Sequence, residues 1–242
     1  MEQSKQNPTS IDNATCIDNT VATEIWQDSI IKLWDVVDNL TRLRPAHSEF
    51  YSVTIFGSSR ITSDSKYYHE VQHLARELAI MGCRIITGGG PGLMQAANEG
   101  AIEANPFMRE RSIGLNIHLP MEQAPNAFVG RAYEHRTFFS RLQHFVLRSN
   151  AFIAVAGGVG TLLEVMMIWQ LLQVGHLYGV PLILVGDRWR GLLDWARHAM
   201  LDGTEMLADP DDLDIPCVVE SAEEAVQVIR KDYGEWLIHG TW

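Results

Sequence analysis

Residues Phe152–Leu172 read FIAVAGGVGTLLEVMMIWQLL. Four apolar, β-prone residues run into the turn Ala156-Gly157-Gly158-Val159-Gly160-Thr161, and a helical pattern follows. A strand apolar on both faces, then a turn, then a helix, is the repeating unit of a parallel sheet covered by helices. The same unit recurs on either side. Apolar runs stand at Tyr51–Phe56, Arg84–Thr87, Ile113–Ile117, Pro181–Val185 and Cys217–Val219, and helical patterns at about 63–82, 93–105, 138–149, 161–174, 189–201 and 221–232. The expected fold is α/β: a doubly wound, Rossmann-like parallel sheet with helices on both faces, forming one nucleotide-binding domain over residues 46–242.

Two segments precede that domain. Residues 1–22 are rich in Asn, Asp, Thr and Ser and read as a flexible tail. Residues 23–45 read as an N-terminal helical extension, with Ile25, Trp26, Ile30, Leu33, Trp34, Val37 and Leu40 at helical spacing before Pro45. Its apolar stripe needs a partner, either the main domain or another subunit.

Composition limits the function. The 242 residues are 46% hydrophobic and carry 19 Lys+Arg against 30 Asp+Glu, a net charge of −11. An acidic surface repels phosphate backbones, which argues against polymeric nucleic acid or an anionic membrane as partner. The only lysines are Lys5, Lys32, Lys66 and Lys231, so any phosphate held in between must be held by backbone amides, hydroxyls and arginine. A Schiff-base lysine is equally hard to place there, which argues against pyridoxal chemistry. Cys16, Cys83 and Cys217 form neither a disulfide framework nor a CxxC pattern and fit buried thiols in a reducing cytoplasm. The polar N-terminus has no apolar signal core. The apolar stretch Ala151–Trp169 contains a glycine loop and Glu164, and reads as strand, loop and helix rather than a membrane span.

Chemistry in such sheets gathers outside the carboxyl ends of the strands. Three turns there are glycine-rich: Gly57-Ser58-Ser59, then Gly88-Gly89-Gly90-Pro91-Gly92 before the helix LMQAANEGA, and the turn quoted first. A glycine run between strand and helix exposes successive N–H groups beside a helix N-terminus, a ready anion site for which phosphate is the best fit. Thr161 adds a hydroxyl, for the anion or as helix N-cap. Neither long loop ends in GK[ST], so a Walker A site is excluded. The dinucleotide fingerprint is incomplete because Leu163 stands where a third glycine belongs, although Asp187 is available as a ribose acid. Glu164 lies one turn into its helix, near the phosphate end, and Arg141 on the preceding helix is its natural cationic partner.

The segments GGGPGLMQAANEGA and FFSRLQHFVLRSNAFIAVAGGVGTLLE, with Gln173 downstream, resemble the LOG family over about residues 50–232. Its members are cytokinin riboside 5′-monophosphate phosphoribohydrolases, long mislabelled as lysine decarboxylases. The resemblance implies phosphate binding by Gly157, Gly158, Gly160 and Thr161 and catalysis by Arg141 and Glu164. It further implies a nucleotide site lined by Gly57, Ser58, Gly89, Gly90, Gly92 and Met94. The implied reaction is hydrolysis of the N-glycosidic bond of a nucleoside 5′-monophosphate, with no metal and no organic cofactor, in a homodimer or higher homo-oligomer. The chain departs from the family motif at three positions: Ala156 replaces a proline, Leu142 a lysine and Met167 a second glutamate. The last two remove charge from the pocket region. A non-catalytic nucleotide sensor or carrier of the same fold is therefore the alternative.

Other titratable clusters read as structural. His69-Glu70-Val71-Gln72-His73 matches HExxH, but Tyr67, Val71, Leu74 and Leu78 form the expected buried stripe, leaving both histidines on the other side. His118, His135 and His144 fall near the expected site and read as packed or solvated rather than catalytic. Recognition of the base is expected from the loop Leu119–Val129 or from a neighbouring subunit.

Overall fold

The computed structural model of the protein describes residues 25–33, 49–118 and 124–239. The chain divides into two units, residues 1–44 and 45–242. In the first, residues 25–33 form helix α1, with a Lys32–Asp28 ion pair at 2.9 Å. The expected tail, residues 23–24 and 34–45 of the expected helical extension, and residues 119–123 of the loop expected to meet the base lie outside the described residues.

The second unit is built on seven parallel strands: β1 (Ser52–Phe56), β2 (Arg84–Thr87), β3 (Ser112–Ile117), β4 (Arg131–His135), β5 (Ala151–Ala154), β6 (Leu182–Val185) and β7 (Pro216–Val219). They lie in the order β4-β3-β2-β1-β5-β6-β7. The chain therefore builds outward from β1 to β4, crosses back, and builds outward again through β5. Val53 of β1 consequently pairs with Ile85 of β2 on one side and Ala151 of β5 on the other. The split between β1 and β5 is the topological switch point at which such sheets bind ligands.

Burial sorts the helices onto two faces. On one, α2 (Lys66–Ile80), α3 (Leu93–Ala104) and α8 (Ala222–His239) cover a core that includes Val53, Ile55, Leu74, Leu78, Ile85, Leu93 and Ile229. On the other, α4 (Phe138–Arg148), α5 (Val159–Gln173) and α6 (Arg190–Leu201) cover Phe56, Ile86, Leu115, Phe145, Phe152, Ile168 and Leu184. Phe56 is the hub of this second core, edge-on to Phe145 at 5.0 Å and stacked with Phe152 at 6.0 Å. The short helix α7 (Pro210–Leu213) follows α6, and 3-10 turns lie at Pro106–Arg111 and Asp187–Trp189.

The doubly wound fold is as expected, with corrections in detail. β4 is an additional strand. Its sequence RAYEH carries no apolar run because it is a sheet edge whose residues are exposed or half-buried. α5 begins at Val159, two residues before Thr161, with Gly158 as N-cap, so Thr161 lies inside the first turn instead of capping it. In α2 the buried aromatic is Tyr68 and not Tyr67, because the Tyr68 hydroxyl donates to Glu99 at 2.6 Å while Tyr67 lies 41% exposed. The stretch Ala151–Trp169 is strand, loop and helix. Among the described residues no helix is long and apolar enough to cross a membrane.

Candidate active site

Ser58 ties the three glycine turns together through its main chain. Its N–H donates to the Ala156 carbonyl at 3.0 Å, and its carbonyl accepts from Leu93 N–H at 2.9 Å. The turns after β1, β2 and β5 thus form one continuous seat. Packing holds it closed. A Cβ on Gly57 would come within 2.8 Å of Val155 and 2.9 Å of Leu93. Gly92 is left-handed (φ +71°), with its Cα against the Ser58 and Ser59 backbone.

The two long loops, alike in sequence, differ in the fold. The run after β2 is largely buried and works as scaffold. Gly89 is left-handed (φ +72°), its N–H donates to Thr87 Oγ1 at 2.9 Å, and its Cα abuts the Asn116 amide. The amide of Asn126 donates to the carbonyls of Gly89 (3.1 Å) and Gly90 (2.9 Å) and to Asn98 Oδ1 (3.0 Å). Asn98 in turn accepts from Thr87 Oγ1 at 2.7 Å. Met94 folds over the run, its Cε 2.8 Å from where a Gly90 Cβ would stand. The α3 terminus is partly closed to ligands because the Ser58 carbonyl takes the Leu93 N–H.

The loop after β5 is open. Gly157, Gly158, Val159 and Gly160 are all exposed, and a Cβ on Gly158 or Gly160 would meet nothing within 4 Å. The N-terminus of α5 has no side-chain cap. The first N–H groups of a helix have no intrahelical acceptor and carry the positive end of its dipole, so this terminus can receive an anion. Thr161 is buried and fills the space that glycine leaves at position 157.

One turn further along α5, Glu164 meets Arg141. The Arg141 Nη1 to Glu164 Oε1 separation is 3.7 Å, with side chains 12% and 13% exposed. Arg141 Nε donates to the Leu115 carbonyl at 2.7 Å, and the guanidinium lies over the Phe145 ring at 5.3 Å. A Cβ on Gly88 would collide with Arg141 Nη2, so the glycine makes room for the cation. Burial pushes the Glu164 carboxyl up to about 7, and the Arg141 charge pulls the other way. An acid poised near neutrality beside a fixed cation suits proton transfer or stabilisation of a developing positive charge.

The structure thus brings together Arg141, Glu164, the 157–161 loop and the Gly88–Met94 run. It makes Gly57 and Ser58 structural members of the seat. It also adds Asn116, Asn98, Asn126 and Gly88, which the sequence did not single out as site residues. The available signal was an asparagine inside the apolar helix pattern LMQAANEGA, and Asn116 inside the apolar strand SIGLNI. Asn116 Oδ1 is buried with no hydrogen-bond partner. Gln173 lies at the far end of α5, 3.4 Å from Asp212. Asp187 pairs with Arg190 at 3.0 Å and, with Lys66, Arg188 and Glu220, lines a cavity of about 550 Å³ that reaches Leu93, Val155 and Ala156 at the back of the seat. Ala156 keeps the carbonyl that a proline would offer, and Met167 packs on the second core. His69 and His73 are exposed, and the described residues contain no group of three His, Cys, Asp or Glu side chains placed to hold a metal ion.

Residues 94–229 match the family described as "Possible lysine decarboxylase". The chain belongs to this, the LOG family. No lysine falls within the matched segment, so it offers no pyridoxal anchor despite the family's description. A relative of this LOG chain is the probable cytokinin riboside 5′-monophosphate phosphoribohydrolase LOGL9 of Oryza sativa subsp. japonica, 29% identical over 159 residues, covering 64% of this chain and 68% of that protein. Solved structures share the fold. The molybdenum cofactor binding protein of Rippkaea orientalis is 21% identical with a TM-score of 0.56, over 76% of this chain and 97% of that one. The molybdenum cofactor carrier protein of Chlamydomonas reinhardtii is 17% identical with a TM-score of 0.54, over 77% and 99%. TM1055 is 23% identical with a TM-score of 0.54, over 75% and 99%.

Proposed function

We propose that this protein hydrolyses the N-glycosidic bond of a nucleoside 5′-monophosphate, AMP or a cytokinin-type riboside monophosphate, to free base and ribose 5-phosphate. The observation that carries this reading is the buried Arg141–Glu164 pair, one turn along α5 from an open, uncapped helix N-terminus. The 5′-phosphate sits on the N–H groups of Val159, Gly160 and Thr161. Four residues of helix rise roughly 6 Å, which sets Glu164 beside the ribose. As the C1′–N bond breaks, positive charge builds on the sugar, and ionised Glu164 stabilises it and takes a proton from the attacking water. That proton balances the one acquired by the departing base. Arg141 keeps Glu164 ionised for part of the population and faces the leaving side. Binding the remote phosphate fixes the sugar for attack.

The rice relative, a probable cytokinin riboside 5′-monophosphate phosphoribohydrolase, supports this reading. Exposed apolar residues on the α5–α6 side, among them Leu163, Met166 and Trp195, support a homo-oligomer. Of the described cysteines Cys83 is buried as expected, whereas Cys217, on the edge strand β7, is exposed rather than buried; both are free thiols, which supports a reducing, cytoplasmic setting. Leu142 and Met167, standing where the family motif has a lysine and a second glutamate, favour a second reading, a nucleotide carrier or sensor without turnover. Chromatography after incubation with a panel of nucleoside monophosphates, run beside calorimetry, separates the two. Release of base and ribose 5-phosphate supports hydrolysis; saturable binding without product supports the carrier and overturns the enzyme.

A further inference from the structure

Helix α4 carries more than Arg141. Toward β4 it presents Ser140, His144 and Arg148 at successive turns, and β4 ends at His135. His135 Nδ1 lies 3.0 Å from Ser140 Oγ and His135 Nε2 lies 2.9 Å from His144 Nδ1. Arg148 Nε donates to His144 Nε2 at 3.0 Å.

The proton order of this chain follows from its end. An arginine Nε can only donate, so His144 Nε2 must be an acceptor and the ring proton sits on Nδ1. That proton points at His135 Nε2, which must accept it, so His135 also carries its proton on Nδ1 and gives it to Ser140 Oγ. The Ser140 hydroxyl passes its own proton to the Thr137 carbonyl at 3.2 Å and accepts from Thr137 Oγ1 at 3.1 Å. Every donor meets an acceptor, with both imidazoles neutral.

A further proton has no place. If His135 Nε2 takes it, His144 must move its proton to Nε2, where it faces the N–H of Arg148. The charged groups around the pair have the same sign. Arg141 and Arg148 flank it on α4, Arg148 and Arg131 lie over the neighbouring Tyr133 ring at 4.8 and 5.3 Å, and Arg84 feels the Arg148 charge. Tyr133 meets His144 edge-on at 4.9 Å. Glu134 projects to the opposite face of β4. Just past the end of β3, the His118 N–H donates to the His135 carbonyl, with the His118 side chain exposed. Burial and then the Arg141 charge lower His135 below its usual range; burial, Arg148 and His135 hold His144 down to about 4.

We infer that His135 and His144 form a neutral, proton-ordered strut between β4 and both ends of α4, and that this strut sets Arg141 in the site. Both are positioning residues. This rests on the reading of Arg141 as a site residue, since Arg141 lies between Ser140 and His144 on the helix that the strut fastens. Protonating the strut drives two N–H groups together and loosens the helix that carries the guanidinium.

The test has two independent arms on the full chain. Nitrogen NMR of the histidine rings should show both as neutral Nδ1–H tautomers at neutral pH, with His144 staying neutral to about pH 5. A proton on His144 Nε2, or charge on His144 at pH 6, overturns the strut. In the second arm AMP is the probe. His144→Gln preserves one donor toward His135 and one acceptor toward Arg148 without titrating, and should keep kcat within about threefold while flattening the acid limb near pH 4 to 5. His144→Phe keeps the shape but breaks the order, and should lower kcat about tenfold or more with KM little changed. Equal activity of His144→Phe and wild type, or equal loss in both variants, overturns the positioning role. Wild-type protein that releases no base from AMP defeats the hydrolase reading alone; the ring tautomers still decide the strut, and AMP affinity replaces kcat in the variants.

Discussion

The guanidinium of Arg141 stands 3.7 Å from the Glu164 carboxylate while its Nε is fastened to the Leu115 carbonyl at 2.7 Å. The cation is anchored to the sheet and leans toward the acid without closing a hydrogen bond on it, since 3.7 Å exceeds that range. The two charges are thus held in place separately, the arginine by the sheet and the acid by α5.

Glu164→Gln is expected to lower kcat/KM for AMP roughly 100-fold or more. The same variant reports on stability. Burial raises this carboxyl from its usual 4.5 to about 7, so the fold favours its protonated form. That contribution is fully present below pH 4.5 and is lost as pH rises through 7. The substitution should therefore stabilise the protein at pH 8 relative to pH 4, by on the order of 3 kcal/mol. Thermal melts across that range are the check, and a pH-independent difference in Tm defeats the prediction.

Arg141→Met removes the charge that pulls Glu164 down, so Glu164 should titrate above its wild-type value. The pH–rate profile, or carbon NMR of the carboxyl, should move upward, and kcat/KM should fall about 100-fold. Arg141→Lys should not rescue it. A lysine ammonium lacks the fork that serves Leu115 and Glu164 at once.

Two glycine substitutions should part company. Gly158→Ala meets open space at an extended backbone (φ −107°), so Tm should stay near wild type while affinity for AMP drops about tenfold because the methyl enters the anion seat. Gly88→Ala collides with Arg141 and with Met94, whose Sδ would lie 2.6 Å away. It should lose both stability and turnover. Similar melts for the two would contradict the division between open loop and buried scaffold.

Asn126→Asp exchanges an amide donor for a carboxylate facing the Gly89 and Gly90 carbonyls and Asn98 Oδ1. Burying an acceptor against acceptors should cost about 2–4 kcal/mol, measured by urea unfolding. A loss below about 0.5 kcal/mol would show that the clamp contributes little.

The core strands were legible because each is buried on both faces and so reads as an uninterrupted apolar run. β4 was hidden for the converse reason. Its Arg131 and Glu134 face solvent at the sheet edge, and alternation over five residues leaves no apolar signature. The partnership of Arg141 with Glu164 could be anticipated because their helices flank the same strand. The asparagine clamp could not, since Asn98, Asn116 and Asn126 meet only through folding. Sequence likewise made the two glycine runs look equivalent. What separates them is burial, which arises when Ser58, Asn126 and Arg141 close over one run and leave the other bare.

The joining of three turns through Ser58 has a consequence for how this site tolerates change. Both links use main-chain atoms, so their partners at 58, 93 and 156 can exchange side chains while the frame that receives the ligand persists. Ala156, standing where the family motif has proline, illustrates such drift: the carbonyl that Ser58 needs survives the replacement. Divergence can therefore retune the chemistry through positions such as 142 and 167 on an inherited mount, so change of occupation need not wait on a change of architecture.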